Sequence, residues 1–299
     1  MTALRALLAG SIDYAGLFPP AGLALSAAAA NYAAYRDGEA AWALGRFVVP
    51  AARLSEFEQA AAPLLPARPV GEPWRLAALL GADPIADVRA IAEFNRRHAA
   101  HGAGAVAADV VEAKAGDANA VASLLDAMPG YLQAYLEVPV DRDPAPLVRA
   151  IGERGGRAKI RTGGVTPDTF PSATDVARFI TACVDAGVPF KATAGLHHPL
   201  RAVYPLTYAP DSARGTMFGF LNVFLAAAFM ALGLDPAAAV RLLEESDPSS
   251  LRFADGAVEW RGRRLGAGEI AGARGRTIVS FGSCSFTEPI GDLAALGLL

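Results

Sequence analysis

Residues Tyr131 to Gly195 read YLQAYLEVPV DRDPAPLVRA IGERGGRAKI RTGGVTPDTF PSATDVARFI TACVDAGVPF KATAG, and this stretch decides the fold class. Tyr131–Val138 is expected to be a strand. Asp143-Pro144 then supplies an N-cap and a proline for the first turn of a helix. Leu147, Val148 and Ile151 follow at helical spacing, and Gly155-Gly156 ends the run. Arg157–Thr162 is the next strand. Ser172-Ala-Thr-Asp175 resembles a capping box, with Asp where Glu or Gln is usual. Val176, Phe179, Ile180, Cys183 and Val184 form one apolar stripe of 3.6 periodicity. Gly187 stops that helix, and Pro189–Thr193 makes another strand. The pattern is βαβαβ with short joints, which implies parallel strands joined by right-handed crossovers.

The alternation extends outward. Upstream strands are expected near Leu4–Ile12, Arg46–Pro50, Arg75–Leu80 and Gly104–Val111, with helices starting at Ser26, Ser55, Asp83-Pro84 and Asp117. Downstream, Thr277–Gly282 is a last strand, followed by a short helix. Eight βα units in 299 residues predict an α/β fold, a single-domain (β/α)8 TIM barrel over residues 1–299. A doubly wound open sheet is the runner-up, but no Gly-x-Gly-x-x-Gly follows the first strand. Before the last strand comes an insertion at about 215–265. It is expected to hold a helical pair at 215–246, then Leu251–Leu265 with Asp255-Gly256 as a hairpin turn.

Composition narrows the function classes. At 53% hydrophobic the chain can bury a large core. A net charge of −3 and the lack of a basic stripe argue against a nucleic-acid partner. Cys183 and Cys284 are too few for a disulfide framework or a cysteine-rich metal site, which fits a cytoplasmic protein. The apolar N-terminus soon meets Asp13, unlike a signal peptide. Gly215–Leu234 is nearly uncharged and about one bilayer long. It is expected to be a buried helix, packed on the barrel or against a twin subunit in a homo-oligomer, and not a membrane span.

Three lysines stand against twenty-four arginines. A chain that carries its positive charge as arginine should keep lysine where an amine is needed, because only lysine can shed its proton. Lys159 and Lys191 sit in short apolar runs that end in glycine. In a barrel, catalytic groups gather at the C-terminal ends of the strands. Tyr135 and Glu137 share one strand face, as do Lys159 and Arg161, and Lys191 and Thr193. If these faces point inward, they converge on one cavity; the alternative is a self-satisfied ion-pair network. Arg161-Thr162-Gly163-Gly164 reads as a seat for a phosphate or carboxylate. His197 and His198 suit a substrate donor or proton shuttle, and their side chains should point apart, which disfavours a shared metal. Asp13, at the rim, could move protons or cap its own loop. Asp109 or Glu112, at the end of the fourth strand, is similarly placed. Ser283 and Ser285 could bind an anion. Cys284 could be a nucleophile, but with no obvious paired base it is expected to be a half-buried thiol. His98 and His101 fall at a helix end on the opposite face and receive no catalytic role.

Ala186-Gly-Val-Pro-Phe-Lys-Ala-Thr-Ala-Gly195 resembles the Schiff-base strand of class I deoxyribose-phosphate aldolases, which carry Lys-Thr-Ser-Thr-Gly there. Ile160-Arg-Thr-Gly163 resembles the preceding strand of that family. The likeness covers about forty residues and implies a Schiff base at Lys191. It departs in two respects: the family has a second lysine on the following strand, and a carboxylate where Arg161 stands. The leading expectation is therefore a cofactor-free lyase or aldolase that acts on a small carbonyl compound bearing a phosphate or carboxylate. Lys191 would attack, kept partly neutral by Lys159 and Arg161. Glu137 or Asp13 would move protons. An isomerase or metal-assisted hydrolase using Glu137, His197 and His198 is the alternative, and a non-catalytic binding barrel is the third.

Overall fold

The strands are β1 (Ile12–Tyr14), β2 (Leu44–Pro50), β3 (Trp74–Leu79), β4 (Val106–Lys114), β5 (Gln133–Glu137), β6 (Arg157–Arg161), β7 (Phe190–Thr193), β8 (Ala202–Pro205), β9 (Arg214–Met217), β10 (Leu251–Ala254), β11 (Ala257–Trp260), β12 (Arg263–Gly266) and β13 (Ile278–Ser283). They belong to a computed structural model that describes residues 2–67, 72–99, 104–254 and 256–299. His101 and Asp255 lie outside the described residues. Strands β1 to β7 and β13 close into a barrel, with β13 between β7 and β1. All of its neighbouring pairs are parallel. This is the (β/α)8 barrel.

The local signals that set the frame are present as atoms. Ser172 Oγ accepts from the Asp175 backbone N–H at 3.1 Å, and Asp175 Oδ2 accepts from the Ser172 N–H at 3.3 Å. Gly187 closes that helix at φ 64°, a left-handed conformation in which a Cβ would be strained. Val48, Ala77, Val110 and Tyr135, on four consecutive strands, form a buried cluster apart from the main core and mark the inward faces. Below them, Asp109 accepts from Arg46 Nε at 2.7 Å and also pairs with Arg75. Asp109 is thus mid-strand and taken by arginines, because β4 runs on to Lys114.

Two expected elements differ. The apolar N-terminus is a helix, Ala3–Leu8, and not a strand; Thr2 caps it by accepting from Arg5 N–H at 3.2 Å. Leu4, Leu7 and Leu8 lie on its buried side, a spacing of three and four that suits a helix. The insertion also starts earlier than expected. Strands β8 and β9 form an antiparallel hairpin, so Arg214–Met217 is strand and only Phe220–Met230 of the apolar segment is helix. A Cβ on Gly219 would collide with the Pro199 carbonyl oxygen and Asn222, which fixes a sharp entry to that helix. All eleven of its residues are buried. Phe220 stacks on Phe281 of β13 at 5.1 Å, so the helix packs on the barrel. Eleven residues span about 16 Å, half of a bilayer core. Among the described residues no helix is long and apolar enough to cross a membrane. Strands β10 to β12 form a separate antiparallel sheet that leads into the helix Ala267–Arg274.

Candidate active site

The barrel's register brings the charged rows together. Glu137 pairs with Lys159, and Lys159 with Lys191, across β5, β6 and β7. Alternation of side chains along each strand puts these on the inner face. Lys191 is 1% exposed, and its Nζ donates to Asp13 Oδ2 and Glu112 Oε1, each at 2.6 Å. It also sits 5.6 Å from the centre of the Tyr135 ring. Lys159 Nζ lies 2.9 Å from Glu112 Oε2 and 3.0 Å from Glu137 Oε2. Arg161 Nε stands 3.7 Å from Glu137 Oε1. Asp13, Lys191, Glu112, Lys159, Glu137 and Arg161 thus form one row of alternating charge.

Glu112 is the centre of the row, since each of its oxygens holds a different lysine. Burial raises its pKa, but Lys191 and Lys159 outweigh that and bring it down to about 2. Glu137 is lowered in the same way, burial being overcome chiefly by Lys159. Asp13 is equally well held: besides Lys191, it accepts from Ser280 Oγ and from the Arg46 N–H, both at 2.8 Å. It therefore belongs to the row and does not cap its own loop.

The expected effect of Lys159 and Arg161 on Lys191 is reversed. Burial lowers the Lys191 pKa, yet Asp13 and Glu112 more than compensate and hold it well above the ordinary lysine value. Like charges favour a neutral amine only where no carboxylate stands between them. Here Glu112 stands between the two lysines. Glu112, a lesser candidate in the sequence, is the residue whose role the pairing decides.

The row opens upward into a cavity of about 480 Å³ at the C-terminal mouth, lined in part by Glu112, Lys159, Arg161, Lys191, Thr193, His197 and Cys284. Phe18, Pro19, Pro20, Val48 and Leu79 supply apolar walls. Gly163 and Gly164 also line it, next to Arg161. Their lack of a side chain is explained by packing: a Cβ on Gly163 would strike the Phe170 ring, and one on Gly164 would meet Thr169 at 2.6 Å. Thr162 is fully buried and turned away, with its Oγ1 donating to the Ala194 carbonyl at 2.7 Å. That bond holds Ala194 at φ 62°, a left-handed conformation rare for a residue with a Cβ. Gly195 follows at φ 72°. The chain turns sharply there and delivers the two histidines.

The histidines part, as their adjacency implies. His197 faces the cavity, whereas His198 turns to Asp292, at 2.6 Å, and stacks on Tyr204 at 3.6 Å. His198 is outside the main cavity and serves to fix the β8–β9 hairpin. Ser283 is buried, with Oγ 3.3 Å from His197 Nδ1. Ser285 Oγ accepts from the Glu288 N–H at 3.1 Å, starting the last helix. Neither serine lines the cavity, because each is committed to a local partner. Cys284 does line it and is buried, with its Sγ 3.8 Å from His197 Nδ1 and 3.5 Å from Tyr208 Oη. His98 bonds the Gly104 carbonyl at 2.9 Å and neighbours Glu58, away from the site.

Among the described residues no three His, Cys, Asp or Glu side chains are disposed to hold a metal ion. No protein-family model matches the chain, and no curated protein matches it in sequence.

Proposed function

We propose that this barrel is an enzyme that forms a Schiff base with a small carbonyl compound bearing a phosphate or carboxylate, as a lyase or aldolase does. The observation that carries the proposal is Glu112, one buried carboxylate shared by two buried lysines beneath an open cavity. An iminium has the same charge as the ammonium it replaces. A row balanced around two ammonium groups therefore stays balanced when one of them becomes an iminium, which lowers the barrier to that intermediate.

The contacts favour Lys159 as the attacking amine and Lys191 as the fixed cation. A lysine ammonium has three N–H bonds. Lys191 directs two at carboxylates and stands over the Tyr135 ring. Lys159 lies within ion-pair distance of two carboxylates without a hydrogen bond as well formed as those of Lys191, and is the more accessible of the pair, at 5% against 1%. This choice departs from the resemblance, which places the Schiff base at Lys191, but gives the attacking amine a second lysine on the following strand. In the reaction Lys159 passes a proton to Glu112 or Glu137 and its nitrogen bonds to the carbonyl carbon. The carbinolamine oxygen then takes two protons, the first, as the alkoxide, from the Lys159 nitrogen and the second from the carboxyl group that received the ammonium proton, and leaves as water, which leaves the iminium with one N–H. Arg161 holds the anionic group, with Thr193 at the cavity wall.

The strong hold on Lys191 favours a second reading, a cofactor-free isomerase in which both lysines remain ammonium groups and Glu112 or Asp13 moves the proton. Treatment with sodium borohydride and pyruvate, acetaldehyde or glycolaldehyde phosphate separates the two. The Schiff-base reading expects a reduced adduct in the intact mass, mapped to the Lys159 peptide and lost in Lys159→Arg. An adduct on Lys191 would return the attack to that amine. Turnover of a carbonyl substrate with no adduct would favour the isomerase.

A further inference from the structure

The structure assigns a second reactive centre to the rim of the same cavity: we infer that Cys284, paired with His197, is a nucleophilic thiolate that adds to small aldehydes. The inference stands on groups that the amine chemistry does not use. The sequence offers Cys284 no base, since His197 lies 87 positions away. The fold supplies one. Strand β13 ends at Ser283 beside β7, so the residue after β13 meets the loop after β7. That loop turns through Ala194 and Gly195, both left-handed, and brings His197 Nδ1 to 3.8 Å from Cys284 Sγ.

Other elements complete the cluster. Glu288 of the last helix approaches the same nitrogen at 3.4 Å and Ser283 Oγ lies 3.3 Å from it, so the carboxylate shares that N–H with the thiolate and favours the imidazolium by its charge. Tyr208, from the tip of the β8–β9 hairpin, places its hydroxyl 3.5 Å from Sγ and 3.2 Å from Glu288 Oε2. Tyr14 of β1 and His198 are the remaining titratable neighbours, acting on Cys284 and Glu288 respectively. Burial penalises the charged forms of both partners, yet His197 is raised to about 9 and Cys284 is lowered, each mainly through hydrogen bonding within the cluster. Geometry and charge thus agree on a thiolate–imidazolium pair. Cys183 is an internal contrast: it is fully buried, and burial alone pushes its thiol well up.

The step balances without an oxidant. The sulfur lone pair forms a bond to the aldehyde carbon, and the C=O π pair moves to oxygen. That oxygen takes the proton released by the His197 imidazolium. The products are a neutral hemithioacetal and a neutral imidazole. An aldehyde fits because its carbon is unhindered and no leaving group needs to depart. Lys159 and Arg161, which line the same cavity, would favour an aldehyde with an anionic group.

The test is the pH dependence of iodoacetamide labelling, read by peptide mass, with glycolaldehyde as the competing probe. Labelling should fall on Cys284 and spare Cys183. Its rate should inflect below the value of an ordinary thiol, about 8.5. His197→Gln should move the inflection up by a unit or more and slow labelling at pH 6 by about tenfold, the factor that one unit implies. Glycolaldehyde should protect Cys284 both in the parent and in Lys159→Arg. Protection in that variant separates this inference from the fate of the amine reading. The ultraviolet absorbance of the thiolate, as a difference between the parent and Cys284→Ser at pH 7, needs no reagent to enter. An inflection at or above 8.5, an inflection unmoved in folded His197→Gln, or no thiolate absorbance would overturn the thiolate. Loss of protection in Lys159→Arg would overturn the aldehyde assignment.

Discussion

Replacing Glu112 by Gln tests the row at its centre. The amide keeps the size of the carboxylate but removes the charge and turns an NH2 toward one of two ammonium groups. Glu112 is fully enclosed, with lysines 2.6 and 2.9 Å from its two oxygens. Removing one partner from a buried ion pair costs about 3–5 kcal/mol. The pKa gives a consistent figure: a carboxylate held at about 2 against an ordinary 4.5 corresponds to about 3 kcal/mol of native-state preference for the ion. Unfolding entropy scales at about 2.1 cal/mol/K per residue, so 3 kcal/mol in a chain of this length lowers Tm by about 5 °C. Because the folded pKa is depressed, the contribution is fully present above about 4.5 and is lost as pH falls toward 2. Calorimetry at pH 7 should therefore show Glu112→Gln melting about 5 °C below the parent, with the gap closing between pH 4.5 and 2. A gap under 1 °C at neutral pH, or one that persists unchanged in acid, would refute the claim that the two lysines depend on this carboxylate.

Other expectations follow from single contacts. Gly163→Ala puts a methyl group against the Phe170 ring and should cost about 1–3 kcal/mol in urea denaturation, with Gly155→Ala as a contrast limited to its backbone conformation. Phe281→Ala removes the ring on which Phe220 stacks and should cost about 3–5 kcal/mol, measured by the same denaturant midpoint. His197, raised from 6.5 to about 9, contributes stability that is complete below about 6.5 and is lost as pH rises through 9. The parent should therefore lose stability between pH 7 and 9.5 more steeply than His197→Gln, as thermal melts across that window would report.

Sequence alone determines the alternation of strand and helix here, because its signals are local. The Ser172/Asp175 box, the proline at 144 and Gly187 act within one or two turns of chain, so they read the same in any context. The inward rows Lys159/Arg161 and Lys191/Thr193 are also legible, since side-chain alternation is a property of one strand. The helix Ala3–Leu8 escapes, because five apolar residues around Arg5 are too short a run for the spacing of Leu4, Leu7 and Leu8 to stand out, and the Thr2 cap is a single bond. Who pairs with whom is set by the tertiary structure. Asp13 and Lys191 are 178 positions apart and meet only because β13 closes the barrel between β7 and β1. Glu112 lies between two lysines, and not below one of them, through the register of β4 to β7. The charge state of Lys191 depends on that register. Counting charges along the chain predicts a repelled amine; Asp13 and Glu112, brought to that amine by the fold, hold it as an ammonium. Electrostatic energy depends on distance in space, and the distances that matter here are closed by the barrel.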